Sequence, residues 1–349
     1  MIPIVLAAAL AAQFAQSQPQ AATPQAASMP ATQPASPGLS MEHARDIVCH
    51  DPSKIVKEGD TYWFFGTGNG VDSFHSKDLQ TWERGPSLFE GQRDWVPDVV
   101  PGNRGHYWAP DVIKLGDTWH VYYSVSTFGR NTSAIAMATS KSLDPDSPDY
   151  GWTDHGPVVT SEPGKPFNAI DPAMLMDNDG RLWMSFGSFW GGLPLIELDP
   201  ETGMRLNPDE EPTIIAAKEP GGVNEIEAPG MYEHDGWYYL FVNWDFCCRG
   251  KDSTYNIRVG RRKSPAGPYI DREGKPLANG GGTVIAKTNG DLIGPGHASI
   301  FEDDDGQEYL SVHFYDGTTE RGTPKLAIAP VSWGKEGWPI VADAEHDHE

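Results

Sequence analysis

The chain has little cysteine, little basic charge and no long apolar run. It contains 3 cysteines in 349 residues, too few for a disulfide scaffold. Its 26 Lys and Arg stand against 49 Asp and Glu, a net charge of −23, so nucleic acid and anionic membrane surfaces are not expected as partners. No apolar run reaches the roughly 18 residues that span a bilayer. No long segment has the apolar period of about 3.6 residues that a helix shows. The sequence therefore predicts a large, acidic, aromatic-rich soluble domain with few helices.

The first 40 residues contain no Asp, Glu, Lys or Arg. Met1–Ala12 is apolar and small, which is typical of the central part of a secretory signal, although the usual preceding Lys or Arg is missing. Residues 16–40 are dominated by Ala, Gln, Pro, Ser and Thr, which cannot bury a core. We expect a leader and disordered tether over residues 1–40, a folded domain over 41–341 and an acidic tail over 342–349. This organisation favours a secreted or periplasmic protein over one with an ordinary disordered tail.

One pattern recurs five times along the folded region. An apolar stretch leads into a Gly/Asp turn and then into an aromatic-rich stretch, the turns being Gly59-Asp60, Gly116-Asp117, Asp179-Gly180, Asp235-Gly236 and Asp305-Gly306. Such dipeptides tolerate the positive φ of tight hairpins. A unit of about 60 residues with three or four strands is typical of a propeller blade. We therefore predict an all-β, five-bladed β-propeller, with a β-sandwich or a solenoid as the alternative.

Acidic residues occupy one register of these repeats. Asp51, Asp171 and His297 each lie eleven positions before the corresponding residue of the next strand, and Glu227 and Trp108 stand at the equivalent entries of the other two repeats. The innermost strands of a propeller begin beside its central channel, so these side chains should converge there. Carboxylates gathered in an aromatic cleft are costly unless they share protons or bind a cation. Glycoside hydrolysis is the chemistry that uses such a group of acids.

Each of these residues also has a structural interpretation. An Asp-Pro pair such as Asp51-Pro52 often marks a turn, and a single buried histidine is commonly a hydrogen-bonded structural residue. The shared register favours a joint functional role. A carbohydrate-binding propeller without catalysis remains the alternative from a different class, as does a scaffold for protein partners, which the sequence does not identify.

Several short segments point to a family. The chain contains, in order, His50-Asp51-Pro52-Ser53, Trp108-Ala109-Pro110-Asp111, Ile170-Asp171-Pro172-Ala173, Glu225-Ile226-Glu227-Ala228-Pro229 and Gly294-Pro295-Gly296-His297. Together with Phe128-Gly129, residues 187–192 and residues 247–250, they resemble glycoside hydrolase family 43, and within it the endo-α-1,5-L-arabinanases. The resemblance extends from about Arg45 to Val341.

The resemblance implies a role for each acid. Asp51 would be the general base that activates water, Glu227 the general acid, and Asp171 the residue that tunes the pKa of Glu227 and orients the sugar. The family inverts, so the base and acid carboxyls should lie about 6.5–9.5 Å apart. The implied substrate is arabinan, a plant cell-wall polysaccharide, cut internally. An exo-acting α-L-arabinofuranosidase or a β-xylosidase of the same family remains an alternative.

The resemblance also implies binding residues. The implied sugar contacts, with Trp108 and Phe128 as stacking surfaces, are Asp51, Trp108, Phe128, Asn168, Ala169, Ile170, Asp171, Ser188, Phe189 and Trp190. Packing between blades is the other interpretation of Phe128 and Trp190. His297 resembles a residue that holds a metal ion, for which we expect calcium with mostly water ligands, because this cation prefers oxygen. Cys247 and Cys248 could form a disulfide after export or remain two thiols, with Cys49 unpaired.

Overall fold

The structure is a computed structural model that describes residues 46–219 and 224–341. The predicted leader and tether over residues 1–40 and the predicted tail over 342–349 lie outside the described residues. The division of the chain at these boundaries therefore stays a prediction.

Five antiparallel sheets follow one another along the chain and form the five blades of a β-propeller. The strands of blades 1 and 2 are Val56–Glu58, Thr61–Gly66, Asp72–Ser76 and Trp82–Arg84, then Gly68–Asn69, His106–Leu115, Thr118–Val125, Ser133–Ser140 and Thr153–Ser161. Those of blades 3 and 4 are Ala173–Met176, Leu182–Ser185, Leu193–Leu198 and Thr213–Ala216, then Ile226–His234, Trp237–Trp244, Asn256–Arg262 and Thr283–Lys287. Blade 5 contains Leu292–Glu302, Glu308–Asp316, Thr323–Trp333 and Pro339–Val341. The helices of the described residues are the α-helix Val96–Val99 and the 3-10 turns Gly250–Asp252 and Leu277–Asn279. The predicted five-bladed, all-β fold is confirmed.

The Gly/Asp dipeptides of the repeat form the turns between the first and second strands. In blade 4, His234 pairs with Trp237 across the turn. Asp235 and Gly236 have φ of 50° and 70°, as a type I′ turn requires at both of its central residues. Because this turn continues the right-handed twist of the two strands, it fixes the register of the aromatic strand that follows.

Each inner strand has an entry residue in the left-handed conformation, which lies before the strand in blades 1 and 3 and at an irregularity within it in blades 2, 4 and 5. These residues are Asp51, Ala109, Asp171, Ala228 and His297, with φ between 42° and 58°. Asp51, Asp171 and His297 occupy the recurring register found in the sequence. In blades 2 and 4 the left-handed residue follows the predicted Trp108 or Glu227 by one position. A positive φ costs a residue other than glycine about 1–3 kcal/mol, so the surroundings must impose it.

Hydrogen bonds from the preceding blade impose this conformation. The amide N–H of each entry residue donates to a polar side chain of that blade: Ala109 to Thr67 Oγ1, Asp171 to Ser124 Oγ, Ala228 to the Asp171 carboxylate, His297 to Asn243 Oδ1, and Asp51 to His313 Nδ1. The last bond joins blade 5 to blade 1. The ring of inner strands is therefore closed by the same contact that links every other pair of blades.

The apolar core is divided among the blade interfaces. Five buried clusters lie one between each pair of neighbouring blades. The cluster that closes the ring joins Ile55 and Phe64 of the first repeat to Phe301 and Leu326 of the last. Beside it, Val48 forms a bridge with Lys325, so the first described residues complete blade 5. The sequence did not predict this closure.

The closing interface provides a test of stability. Phe64 is fully buried and stacks on Phe74 with ring centroids 4.5 Å apart. We expect Phe64→Ala to lower the free energy of unfolding by about 3–5 kcal/mol, because it removes buried apolar area and leaves a cavity. Denaturant titration measures this change. The matched control is Phe128→Ala, since Phe128 is 85% exposed and its truncation should change stability by less than about 0.5 kcal/mol. Equal losses in the two variants would contradict the closing role of this cluster.

Candidate active site

The entries of the inner strands bring the predicted acids together at the channel. Asp171, Glu227 and His297 are buried, and the side chain of Asp51 is 16% exposed. His297 Nδ1 lies 3.5 Å from Asp51 Oδ1. The charges of Glu227 and Asp51 both act on Asp171. Residues more than a hundred positions apart in the chain therefore form one electrostatic group.

Asp51 is surrounded by hydrogen-bond donors and imidazoles. Its Oδ2 accepts a hydrogen bond from Thr67 Oγ1 at 2.6 Å and lies 2.7 Å from His50 Nδ1. Burial alone would raise the pKa of Asp51. The charge and hydrogen bond of His50, with further contributions from His297 and His313, outweigh burial and hold that pKa well below its ordinary range. Ionised Asp51 is therefore favoured at neutral and moderately acid pH.

Two stacked histidines support Asp51 from the side of blade 5. The rings of His50 and His313 lie 4.0 Å apart. His313 Nδ1 accepts the Asp51 amide N–H at 3.1 Å, so its proton is on Nε2, which is buried without a partner. Burial keeps the pKa of His313 well below its usual value. Burial also lowers the pKa of His50, but the Asp51 carboxylate outweighs burial and the net direction is upward.

Glu227 is in the opposite condition. Its Oε2 accepts a hydrogen bond from Ser188 Oγ at 2.5 Å, and its Oε1 accepts one from Tyr255 Oη. Burial is the largest influence and raises the pKa of Glu227. The two hydrogen bonds oppose that rise, and the Asp51 charge adds to it, so the net direction is upward. Protonated Glu227 is thus favoured at a pH where Asp51 is ionised.

Asp171 interacts electrostatically with both of these carboxylates, and its pKa is raised. Burial, then the like charges of Glu227 and Asp51, raise the pKa of Asp171 well above its ordinary value, and the Ala228 amide N–H opposes the rise only in part. Repulsion makes it costly for Asp171 and Glu227 to ionise together. The site therefore holds a proton on this pair while Asp51 carries a charge, which is the division that acid and base catalysis requires.

A loop of blade 3 fixes Ser188 against Glu227. Ser188 forms a bridge with Glu227, and the Phe189 amide N–H donates to Ile226 O at 2.8 Å. Phe189 and Trp190 both have positive φ, 55° and 45°, and so turn the loop back on itself. Sequence reasoning placed Ser188 against the sugar, and the structure places its hydroxyl on the carboxyl of Glu227.

The other predicted sugar contacts differ in exposure. Phe128 is 85% and Trp190 36% exposed, whereas Trp108 and Phe189 are half-buried. The Phe189 ring packs against that of Phe246, with centroids 6.0 Å apart.

The segment before Asp171 is buried and contributes mainly backbone. The Ala169 amide N–H donates to Ser161 Oγ at 2.9 Å, and Ile170 O accepts from the Gly187 N–H at 2.7 Å. Asn168 Oδ1 is buried without a partner, so it is an acceptor with free capacity. None of these placements tests the sugar-binding roles, which stay predictions.

Sequence reasoning did not assign roles to His50, Thr67, Tyr255, His313 and Tyr315, which the structure places around the acids. One signal could have found two of them. A polar residue stands in or just after each of four aromatic-rich second strands, 15 or 16 positions after the entry residue, and these residues are Thr67, Ser124, Asn243 and His313. All four accept the amide N–H of the next entry residue.

The described residues contain one group of three side chains spaced to hold a metal ion. It consists of His50, Asp51 and His313, whose ligand atoms lie within 4.8 Å of one another. His297 lies beside this group through its contact with Asp51. Burial lowers the pKa of His297, which favours the neutral imidazole that can bind a metal.

The three cysteines all lie in the described part of the chain. Cys247 and Cys248 form a disulfide between adjacent residues, and Cys49 is a buried free thiol. Of the two states that the sequence left open, the structure has the disulfide.

Over residues 46–219 and 224–341, no helix is both long and apolar enough to cross a membrane.

Comparison with known proteins agrees with this site. Residues 45–339 match the model of the glycosyl hydrolases family 43. The chain is 41% identical to an extracellular exo-α-(1→5)-L-arabinofuranosidase of Cellvibrio japonicus, and the alignment covers 87% of this chain and 89% of that protein. It is 39% identical to an extracellular endo-α-(1→5)-L-arabinanase of Bacillus subtilis, and this alignment covers 85% of this chain and 88% of that protein. A solved structure of a Cellvibrio cellulosa α-L-arabinanase complexed with arabinohexaose matches with a TM-score of 0.81 and 41% identity, covering 84% of this chain and 95% of that one. The chain therefore belongs to glycosyl hydrolase family 43.

Proposed function

We propose that the chain is an inverting glycosidase that cleaves internal α-1,5-L-arabinofuranosidic bonds of arabinan. The observation that carries the proposal is the convergence of Asp51, Asp171 and Glu227 at the strand entries, where hydrogen bonds and imidazoles lower the pKa of Asp51 while burial raises that of Glu227. The named relatives supply the substrate class, since one is an endo-α-(1→5)-L-arabinanase and a solved neighbour is complexed with arabinohexaose.

In the proposed reaction each acid has one task. Glu227 gives its proton to the glycosidic oxygen as the bond to the anomeric carbon breaks. Asp51 takes a proton from the water that attacks that carbon from the opposite face, so the configuration inverts. Asp171 raises the pKa of Glu227 by like-charge repulsion and orients the sugar. One water is consumed, and the proton that Asp51 has gained returns to Glu227 through solvent.

The aromatic residues that the sequence predicts as sugar contacts fit a furanose polymer. We assign stacking to Trp108 and Phe128 and further contacts to Asn168, Ala169, Ile170, Ser188, Phe189 and Trp190. Apolar faces of sugars pack on aromatic rings, and a free polar acceptor such as Asn168 Oδ1 can take a hydrogen bond from a hydroxyl.

The substrate test compares three polymers. Release of reducing ends from debranched arabinan, with branched arabinan and xylan beside it, should be fastest on the debranched polymer. Early products of mixed length indicate internal cleavage. Exo-action is the second candidate, because a relative of 41% identity is an exo-α-(1→5)-L-arabinofuranosidase, and it would give one short product from the start. Activity on xylan alone would contradict both.

Removing the charge of Asp171 tests its proposed influence on Glu227. In Asp171→Asn we expect a large fall in kcat and a basic limb of the pH profile at lower pH. The sign follows from repulsion within the pair: while Asp171 and Glu227 share one proton, a charge on Asp171 makes ionisation of Glu227 harder. Removing that charge lets Glu227 lose its proton at lower pH. Rates across a pH series measure both effects. An unchanged profile with an unchanged rate would refute this role.

We further propose that His297 would hold a calcium ion, with water as most of the remaining ligands. The residues fit in two respects, because burial lowers the pKa of His297 and so favours its neutral imidazole, and the negatively charged Asp51 carboxylate lies near it, with Oδ1 3.5 Å from Nδ1. When bound, the cation supplies positive charge that offsets the repulsion among the carboxylates.

Metal analysis tests the calcium proposal. We expect His297→Ala to lower bound calcium and kcat together, and chelation to lower kcat of the wild type until calcium is restored. Protonation of the imidazole at acid pH should weaken binding, because the cationic ring has no free lone pair. The control is His155→Ala, which truncates an exposed histidine of blade 2. Normal turnover in His297→Ala together with a metal-free wild type would leave His297 as a packing residue.

We also propose a secreted or periplasmic location, since two named relatives are called extracellular and the first 40 residues resemble a leader. Mass spectrometry of the N-terminus of the exported protein would show cleavage within those residues, and an intact Met1 in exported protein would count against it.

A further inference from the structure

The disulfide between Cys247 and Cys248 lies beside the proposed general base, although none of the roles assigned above uses it. Cys248 Sγ is 3.9 Å from His50 Nε2, and the Cys248 residue is exposed to solvent. Cys248 also has a left-handed backbone, with φ of 65°. A disulfide between neighbours closes too small a loop to restrict the unfolded chain by much. Its contribution must therefore be sought in local geometry.

A continuous chain of hydrogen bonds leads from this disulfide to Asp51. The Cys248 amide N–H donates to Tyr315 Oη at 2.6 Å. Tyr315 Oη lies 2.8 Å from His50 Nε2, and His50 Nδ1 lies 2.7 Å from Asp51 Oδ2. These four residues come from blade 4 (Cys248), blade 5 (Tyr315) and the segment before blade 1 (His50 and Asp51), which therefore meet here.

The chemistry of the groups gives this chain a direction. Because Tyr315 Oη accepts the amide proton, its own proton is available for His50 Nε2. His50 carries a proton on Nδ1 in its neutral as well as in its charged form, and in both it donates that proton to Asp51 Oδ2. Thr67 Oγ1 donates to the same oxygen at 2.6 Å. With Oδ2 held by two donors, Oδ1 is the oxygen left to take the proton of the attacking water.

We propose that the Cys247–Cys248 disulfide, Tyr315 and His50 form a positioning relay that orients the carboxylate of Asp51, and that reduction of the disulfide releases it. The proposal rests on the proposed function, in which Asp51 is the general base. None of the three relay members contacts the reacting atoms.

The disulfide matters to the relay because it holds the Cys248 backbone. A residue other than glycine leaves the left-handed region unless its surroundings impose it. Reduction breaks the S–S bond and forms two thiols, which takes two electrons and two protons from the reductant. Cys248 can then adopt an ordinary φ, and its N–H turns away from Tyr315. The neighbouring loop keeps other anchors, such as the Thr254 amide N–H on Phe246 O at 2.9 Å, so the change stays local.

The first test removes the hydroxyl in the middle of the relay. In Tyr315→Phe we expect kcat on debranched arabinan to fall on the order of 10- to 100-fold with KM nearly unchanged, because a small misplacement of a reacting group costs rate and not binding. The matched control is Tyr122→Phe, which removes another buried hydroxyl, one that donates to Gly203 O at 2.8 Å away from the acids. An unchanged kcat in Tyr315→Phe, or a change confined to KM, would overturn the relay.

The second test uses dithiothreitol, a dithiol that is oxidised to its cyclic disulfide as it reduces the protein. Thiols titrated after denaturation should rise from one to three per chain, and kcat should fall by the same factor as in Tyr315→Phe. Reduction of Tyr315→Phe itself should cause no further loss, since members of one chain of contacts are not additive. A Cys247→Ser, Cys248→Ser double variant should match the reduced wild type and ignore dithiothreitol. The proposal would be overturned if the reduced wild type, with three thiols per chain, kept full activity. It would also be overturned if reduction lowered the kcat of Tyr315→Phe by a further factor.

A third measurement separates this inference from the proposed function. If the wild type cleaves no arabinan, the proposed function fails, and the relay is decided by NMR of the imidazoles. The His50 signal, assigned by its loss in His50→Gln, should show a proton on Nδ1 and an accepting Nε2 in the oxidised protein, and should change on reduction. A His50 signal that reduction leaves unchanged would refute the relay independently of any activity.

Discussion

Asp51→Ala is expected to lower kcat on debranched arabinan by about 10²–10⁴-fold while the propeller stays folded. The expected size is that of a general base removed from its reacting proton. Asp51 suits this task because His50, Thr67 and the two further imidazoles keep it ionised in a channel where the other acids favour protonation. Without the carboxylate no group takes the proton of the attacking water. Initial rates of reducing-end release measure the loss.

The fold of this variant needs its own control. The Asp51 amide N–H, which closes the ring on His313 Nδ1, is retained in Asp51→Ala, so the circular dichroism spectrum should not change. Asp303→Ala, which removes a partly exposed carboxylate bonded to Tyr62, should keep normal turnover. Asp51→Ala with more than about half of the wild-type activity would exclude Asp51 as the base.

The blades could be predicted from the sequence because their signals are local. A turn such as Asp235-Gly236 fixes a hairpin through the conformations of two adjacent residues, and the aromatic strand after it follows from composition. Ring closure could not be predicted in this way. It depends on Phe64 packing with Phe301 and on Val48 pairing with Lys325, contacts that span most of the chain and leave no periodic trace.

The candidate site, too, could be predicted from the sequence only in part. Asp51, Asp171 and His297 could be placed together because the repeat gives all three the same left-handed strand entry. Glu227 stands one residue before that entry, where its carboxyl meets Ser188 from another blade. The partners that set protonation, such as His313 beside Asp51, come from blades far apart in sequence. Register therefore predicts which residues reach the channel, while their pKa values depend on contacts that only the folded ring provides.

Glu227→Ala is expected to lower kcat on arabinan by about 10²–10⁴-fold, the contribution of a general acid. The same variant should lose much less on an arabino-oligosaccharide that carries a 4-nitrophenolate leaving group. This anion departs without a proton, so the task of Glu227 is no longer needed. Asp51→Ala should be impaired on both substrates, because water must still be activated. Comparing the two variants on the two substrates assigns acid and base separately.

The pH profile provides the final check on Glu227. Burial raises the pKa of Glu227 above that of an ordinary glutamate, so the wild type should stay protonated and active to higher pH and then lose kcat/KM as Glu227 ionises. In Glu227→Gln that basic limb should disappear, since an amide has no proton to lose in this range. Asp51 should stay ionised over this range, so it adds no limb to the profile of either protein. A basic limb that persists unchanged in Glu227→Gln, or an equal loss on both leaving groups, would mean that another residue donates the proton. Asp171, whose pKa is raised by burial and by the neighbouring carboxylates, would be the next group to test.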